Sequence, residues 1–307
     1  MIIEAALAAG LSCAQLPGID GNVDDLDRQA VAQVLEVEPD CGKAHLTLGR
    51  MTYASETVDE SIDHLEAAAE RMPPNSELQR MLGGIYLMRA GMESSLGDAR
   101  RGRKRLRKAV EIDPMNLDAR ESLAGFLAGA PWIAGGDMGE ADEQAEFIRE
   151  HDAERGVRVL AQNRLADDET EDAVALLEAA LLEHPDWDSL VVPLGIGYQE
   201  LEQYAKAFEV LESYAGRPEP DPMVVYQLGR TAALSGEHLV EGRAAMTRYI
   251  EMRAADEDLA VPLPPAWWRL GMIETLGGDT KAAREAFEKA LEFDSDFEQA
   301  REALQAL

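Results

Sequence analysis

Three stretches decide the fold: GKAHLTLGR at 42–50, PMVVYQLGR at 222–230 and PPAWWRLGM at 264–272. Each carries Leu-Gly at its seventh and eighth places, as Leu48-Gly49, Leu228-Gly229 and Leu270-Gly271. The register continues past the Gly. In the last unit Ala283, Phe287 and Ala290 follow, then Ser295; in the unit from Glu154 the same places hold Leu160, Ala161, Ala173, Leu177, Ala180 and Pro185. Units start near 42, 76, 117, 154, 188, 222 and 264, and three of the six intervals are 34 residues. A fixed period of this length marks a stack of helix pairs, each too small to bury its apolar face alone. A small residue at the eighth and twentieth places lets two helices approach closely. A bulky apolar residue at the twenty-fourth fills the gap between units, and a Pro ends the second helix.

This register, recurring in seven units over roughly residues 20–300, resembles the tetratricopeptide repeat (TPR). The resemblance implies an all-α fold: a right-handed α-solenoid of about seven to eight TPR helix pairs, read as one superhelix over 20–307. Helix B of an earlier unit is expected from Asp24 to Val37, before Pro39, and a capping helix at 297–307. Residues 1–15 are either the remnant of an export signal or an N-terminal helix. The small-x-small triplet Ser12-Cys13-Ala14 suits a cleavage site, but Glu4 stands where a signal would carry a cation. Cys41 reads as an unreactive thiol in a turn; a Cys13–Cys41 bridge is open to it if the first segment stays on the mature chain.

The chain of 307 residues carries 59 acids against 29 Lys and Arg, a net charge of −30, and 46% apolar residues. That composition supports a packed core. The charge argues against nucleic acid or anionic membranes as general partners. No apolar run is long enough to span a bilayer. Two cysteines exclude a disulfide-rich scaffold or a four-cysteine zinc site. None of the five histidines has a second at i+4, and no phosphate loop or nucleophile elbow is present, so neither a catalytic residue nor a metal or cofactor site is expected.

Three places break the period. Seven extra residues lie between Gly83 and Pro114, five between Ala124 and Ala141, and about eight between Arg248 and Pro264. Each reads either as an insertion tolerated at a turn or as a functional loop. APWIAGGD at 130–137 also resembles a bacterial, often exported, TPR subfamily with an Ala-Pro-x-x-x-Gly-Gly insertion. That resemblance implies a periplasmic or envelope location, with the cytoplasm as the alternative. Trp132 is expected to plug a repeat interface rather than stand exposed, because large aromatics are mostly buried. A small-ligand-binding or enzyme-associated protein with a pocket at this 130–137 loop is the alternative function.

Seven cations fall in nine residues: Arg100, Arg101, Arg103, Lys104, Arg105, Arg107 and Lys108. They lie on an expected helix B, most of them opposite its apolar face. Neutralisation of the protein's own acids is the leading reading, ahead of docking to an acidic partner; nucleic acid is not expected.

The resemblance also implies that helix A of each unit lines a concave groove. There the cations Lys43, Arg50, Arg80, Arg155, Arg158, Arg230 and Arg269 outnumber the acids Glu77, Asp118, Glu121 and Glu200, the reverse of the whole chain. Tyr53, Met81, Met88, Gln162, Tyr226, Gln227, Trp268 and Met272 share that surface. Arg, Tyr, Trp and Met are the residue types enriched in interfaces. The expected function is a non-enzymatic scaffold whose groove binds a partner peptide or protein that bears carboxylates; for each residue the alternative is an ordinary solvated side chain.

Overall fold

In the computed structural model, which describes residues 11–53, 57–256 and 259–307, the regular elements are helical. The α-helices are α1 (Arg28–Val37), α2 (Gly42–Met51), α3 (Val58–Arg71), α4 (Ser76–Glu93), α5 (Leu96–Ile112), α6 (Leu117–Gly129), α7 (Met138–His151), α8 (Ala153–Ala166), α9 (Thr170–Glu183), α10 (Val191–Glu200), α11 (Tyr204–Ala215), α12 (Pro222–Ser235), α13 (Leu239–Ala255), α14 (Leu263–Leu276), α15 (Thr280–Phe293) and α16 (Glu298–Ala306). The chain forms two compact units, one up to Val159 and one from Leu160, so the boundary falls inside α8.

Short polar caps fix where helices begin. Asn75, Ser95, Asn116 and Asp137 accept from backbone N–H groups at the starts of α4, α5, α6 and α7, and Asp221 caps α12 with Pro222 in its first turn. Each such cap contributes about 1 kcal/mol. Asp27 caps α1, which therefore starts four residues later than Asp24. Pro193 lies in the first turn of α10, where a missing N–H costs nothing, so it does not interrupt that helix.

Within each unit the paired helices meet at glycine. A Cβ on Gly49 of α2 would sit 2.7 Å from the Leu65 side chain of α3. One on Gly271 of α14 would sit 2.4 Å from the Phe287 ring of α15. In the first unit Leu46, Leu65, Leu78, Leu82 and Ile85 form a continuous core. In the second, Ala283, Phe287 and Ala290 pack with Ala300, so α16 covers the end of α15.

The three departures from period 34 have different structures. The first is not a loop. The extra residues lengthen α4 and α5, which meet at a tight reversal where Ser94 adopts φ 52°. The second is a compact turn at 130–137, described below. The third connects α13 to α14, and the buried Tyr249 hydroxyl fastens it, donating to Val261 O at 2.8 Å and accepting from Val261 N at 3.1 Å.

The cysteines are bridged. Cys13–Cys41 joins the N-terminal stretch to the turn that opens α2, across a separation of 28 residues. Leu16 is buried against Val31, Val34 and Ala44 beside it. Cys41 is thus not a free thiol, and a cut after Ala14 would discard one of the two sulfurs. Residues 1–10 of the expected signal or helix lie outside the described residues.

Two outcomes test this packing. Gly271→Ala is expected to destabilise the chain by about 1–3 kcal/mol, read by denaturant unfolding, because the Phe287 ring must move. Breaking the bridge, by reductant or by Cys13→Ser with Cys41→Ser, is expected to cost about 3 kcal/mol in the same measurement, the entropy of a loop this long.

Candidate binding surface

In the first unit the groove cations have partners within the chain. On α4, Arg80 Nε donates to Glu77 at 2.7 Å. On the N-terminal half of α8, Arg155 Nε donates to Glu121 at 2.6 Å and its Nη2 to Asp118 at 2.6 Å, and Arg158 donates to Glu121 at 2.9 Å. Three of the four acids expected on this surface thus neutralise three of its cations. Burial raises the Glu121 carboxyl, but the Arg158 and Arg155 guanidinium groups outweigh it and hold it below its ordinary value. Lys43 and Arg50 are engaged with backbone, donating to Leu16 O at 3.1 Å and Gly21 O at 2.7 Å, where they hold the N-terminal stretch against α2. Tyr53 donates to Met81 O at 3.3 Å, and Met81 and Met88 pack against the core. The first unit therefore offers few free cations on its helix-A face. Arg80, expected to seek a partner's carboxylates, is thus paired within α4, whereas Arg155 and Arg158 of α8 reach across to the acids of α6, the preceding A helix.

The second unit differs. Arg230 on α12 donates to the side chains of Gln199 on α10 and Gln227 on α12. Gln199 is buried and donates to Thr231 Oγ1 at 2.8 Å and Gln227 O at 3.1 Å, while Thr231 donates to Gln227 O at 2.8 Å. Sequence reading missed Gln199, although it occupies a helix-A place facing the same side. Arg269 on α14 lies over the Trp268 ring at 4.2 Å and within 3.4 Å of Met272 Sδ. Its Nε is buried with no partner. Burial weakens its hold on its proton; Tyr226 opposes this and the neighbouring charge of Arg230 adds to it. Among the described residues neither arginine has a carboxylate within ion-pair distance. Tyr226 is buried, and Trp268 and Met272 are half-buried beside them. Gln162, on the part of α8 that belongs to this unit, is exposed.

On α5 the basic run is divided. Arg101 pairs with Asp98 at 2.8 Å, Arg107 Nε donates to Glu140 at 2.9 Å, Lys108 reaches Glu111 at 3.1 Å, and Arg105 pairs with Glu66 and donates to Gln79 at 3.0 Å. Asp98 is buried and also receives Arg89 at 2.9 Å. Arg89, and then Arg101, hold its carboxyl at about 2 against the opposing effect of burial. Arg100, Arg103 and Lys104 pair with no acid among the described residues. The expectation that Trp132 plugs an interface is overturned: its side chain stands 85% exposed, and Ala134 takes the buried place in the turn. The rings of His45 and His64 approach at Nδ1 to 3.1 Å, and no cluster of three metal-ligating side chains occurs among the described residues.

An array of antiparallel helix pairs meeting at small residues is the TPR architecture, and known proteins bear the same features. Residues 264–297 match the tetratricopeptide repeat family model. A tetratricopeptide repeat protein from Parabacteroides merdae superposes with a TM-score of 0.52 at 13% identity, over 86% of this chain and 97% of that one. The hetero-tetramer Cut9–Hcn1 of the APC/C gives 0.54 at 12% identity, over 91% of this chain and 51% of that one. YrrB, a TPR protein with an unusual peptide-binding site, gives 0.47 at 19% identity, over 66% and 98%. No curated protein sequence matches the chain. No helix among the described residues is long and apolar enough to cross a membrane.

The Asp98 cluster makes a pH prediction. Its folded carboxyl lies below its ordinary value, so its contribution is fully present above about pH 4 and is lost as the pH falls toward 2. Holding a carboxyl near 2 instead of its ordinary value of about 4 contributes about 2–3 kcal/mol. Asp98→Asn is expected to destabilise the chain at pH 7 by about 3 kcal/mol, since Arg89 loses its buried partner. Unfolding measured from pH 5 to 2 should fall less steeply in that variant than in the wild type.

Proposed function

We propose that the chain is a non-enzymatic interaction scaffold that holds a carboxylate-bearing peptide or protein segment on the helix-A surface of its second unit. The observation that carries the reading is the Arg230 and Arg269 pair. In a chain of net charge −30, two neighbouring guanidinium groups lack an acid partner among the described residues, and one of them keeps a buried, unpartnered Nε. Retaining like charges together without a counter-ion is costly, and a bound carboxylate offsets that cost through charge-assisted hydrogen bonds. Trp268, Tyr226 and Met272 supply apolar area around the charge, the composition of an energetic centre in an interface. The TPR architecture fits a protein partner.

The same reading extends to location. A disulfide persists where the surroundings oxidise, so the Cys13–Cys41 bridge supports export to the cell envelope over a cytoplasmic place.

Affinity capture from the source organism tests the scaffold. The wild-type chain is expected to retain one protein in stoichiometric amount. Arg230→Glu with Arg269→Glu should weaken that binding by at least about tenfold, as loss of interface-centre arginines does, with circular dichroism of the variant separating lost contact from lost fold. Equal recovery on both chains would sink the assignment of this surface.

A further inference from the structure

A second surface lies in the first unit, where the basic helix meets the turn at 130–137. Of the seven cations in the run, four have acid partners. The other three, Arg100, Arg103 and Lys104, are spaced i, i+3, i+4 and share one face of α5. Two of them grip the turn by its backbone: Arg100 donates to Ile133 O at 3.2 Å and Arg103 to Gly135 O at 2.9 Å. Lys104 is exposed one turn beyond Arg100 and has no acid partner among the described residues. This patch is basic without local compensation in an otherwise acidic protein.

The turn presents apolar side chains beside that charge. Trp132 is 85% exposed and Ile133 49%, and Met92 and Leu96 are exposed on the adjoining ends of α4 and α5. An open cavity of about 420 Å³ lies against the turn, with Leu87, Leu96, Phe126, Pro131 and Ala134 among its walls. The turn is held in one shape. Pro131 O accepts from the N–H groups of Ala134, Gly135 and Gly136, and Asp137 N donates to Leu127 O at 2.9 Å. Gly135 adopts φ 105°, and a Cβ there would strike the Arg103 guanidinium; one on Gly136 would lie 1.8 Å from Ala130 O. An exposed Trp on a fixed backbone turn has only its two side-chain torsions to lose on contact, which suits an anchor of binding energy.

We propose that this face docks an acidic peptide segment whose apolar side chain enters the cavity beside Trp132 while its carboxylates meet Arg100, Arg103 and Lys104. Charge complementarity selects this occupant. The three cations are too few and too local to hold an extended polyanion against the repulsion of the whole chain, whereas a short run of Asp or Glu matches their span. The surface is separate from the Arg230 and Arg269 site and does not depend on it.

A displayed library of random twelve-residue peptides, selected on the full wild-type chain and counter-selected on Trp132→Ala with Lys104→Glu, tests the proposal. The expected result is enrichment of sequences that join clustered Asp or Glu to an aliphatic or aromatic residue. A synthetic peptide from that pool should lose at least about tenfold in affinity with either single substitution, weaken as salt rises, and bind Arg230→Glu/Arg269→Glu unchanged. Both substituted positions are exposed, so melting should match the wild type and separate lost contact from lost fold. Enriched peptides without acids, or no enrichment, would overturn the proposal. So would sedimentation with phosphatidylglycerol vesicles that disappears in Trp132→Ala, which would make the face a lipid contact.

Discussion

The close approach of paired helices governs this molecule. Where Gly49 meets Leu65 and Gly271 meets Phe287, no room exists for another carbon, and the larger side chain fills the space a Cβ would take. That contact sets the separation of the pair, and the separation decides which side chains on each helix are buried. The cores of both units, and the side chains left over on the A helices, follow from it. Propensity alone would give the same helices in many arrangements; the missing Cβ selects one.

From that constraint two electrostatic regimes emerge. In the first unit, acids and arginines of successive A helices lie within reach across the repeat and cancel, as Glu121 does with Arg155 and Arg158. In the second, the equivalent neighbours of Arg230 and Arg269 are glutamines, a tyrosine and a tryptophan, which orient a guanidinium without neutralising it. The same backbone repeat thus supports a closed surface in one unit and an open, cationic one in the other. The difference lies in which residue types occupy equivalent places.

The fold class is legible in the sequence because its determinants are local and periodic: Leu-Gly, the small residue twelve later, the bulky one four beyond. Cations counted by place give the right residues on the surface but not their state, because the partner of Arg155 lies 34 residues earlier, on another repeat. The extra residues near 90 read as an insertion at a turn, yet no proline interrupts them, and α4 runs on through Gly91 to Glu93 before the reversal at Ser94. Trp132 misleads for a different reason. Average burial of aromatics says nothing about a turn whose single inward place is already filled by Ala134, with Gly135 fixing the direction of the chain.

The turn at 131–136 also separates two kinds of sequence freedom. Gly135 and Gly136 are bound by steric necessity, and Arg103 is bound to them through its contact with the backbone. Trp132 touches little and is held to nothing by the fold. Substitution at position 132 is therefore expected to carry almost no penalty in folding, while a side chain at 135 or 136 meets the Arg103 guanidinium or the Ala130 backbone. Such a site behaves as a socket with a replaceable tip. A change of residue at 132 alters what this face presents, one side chain at a time, while the helices beneath remain unchanged.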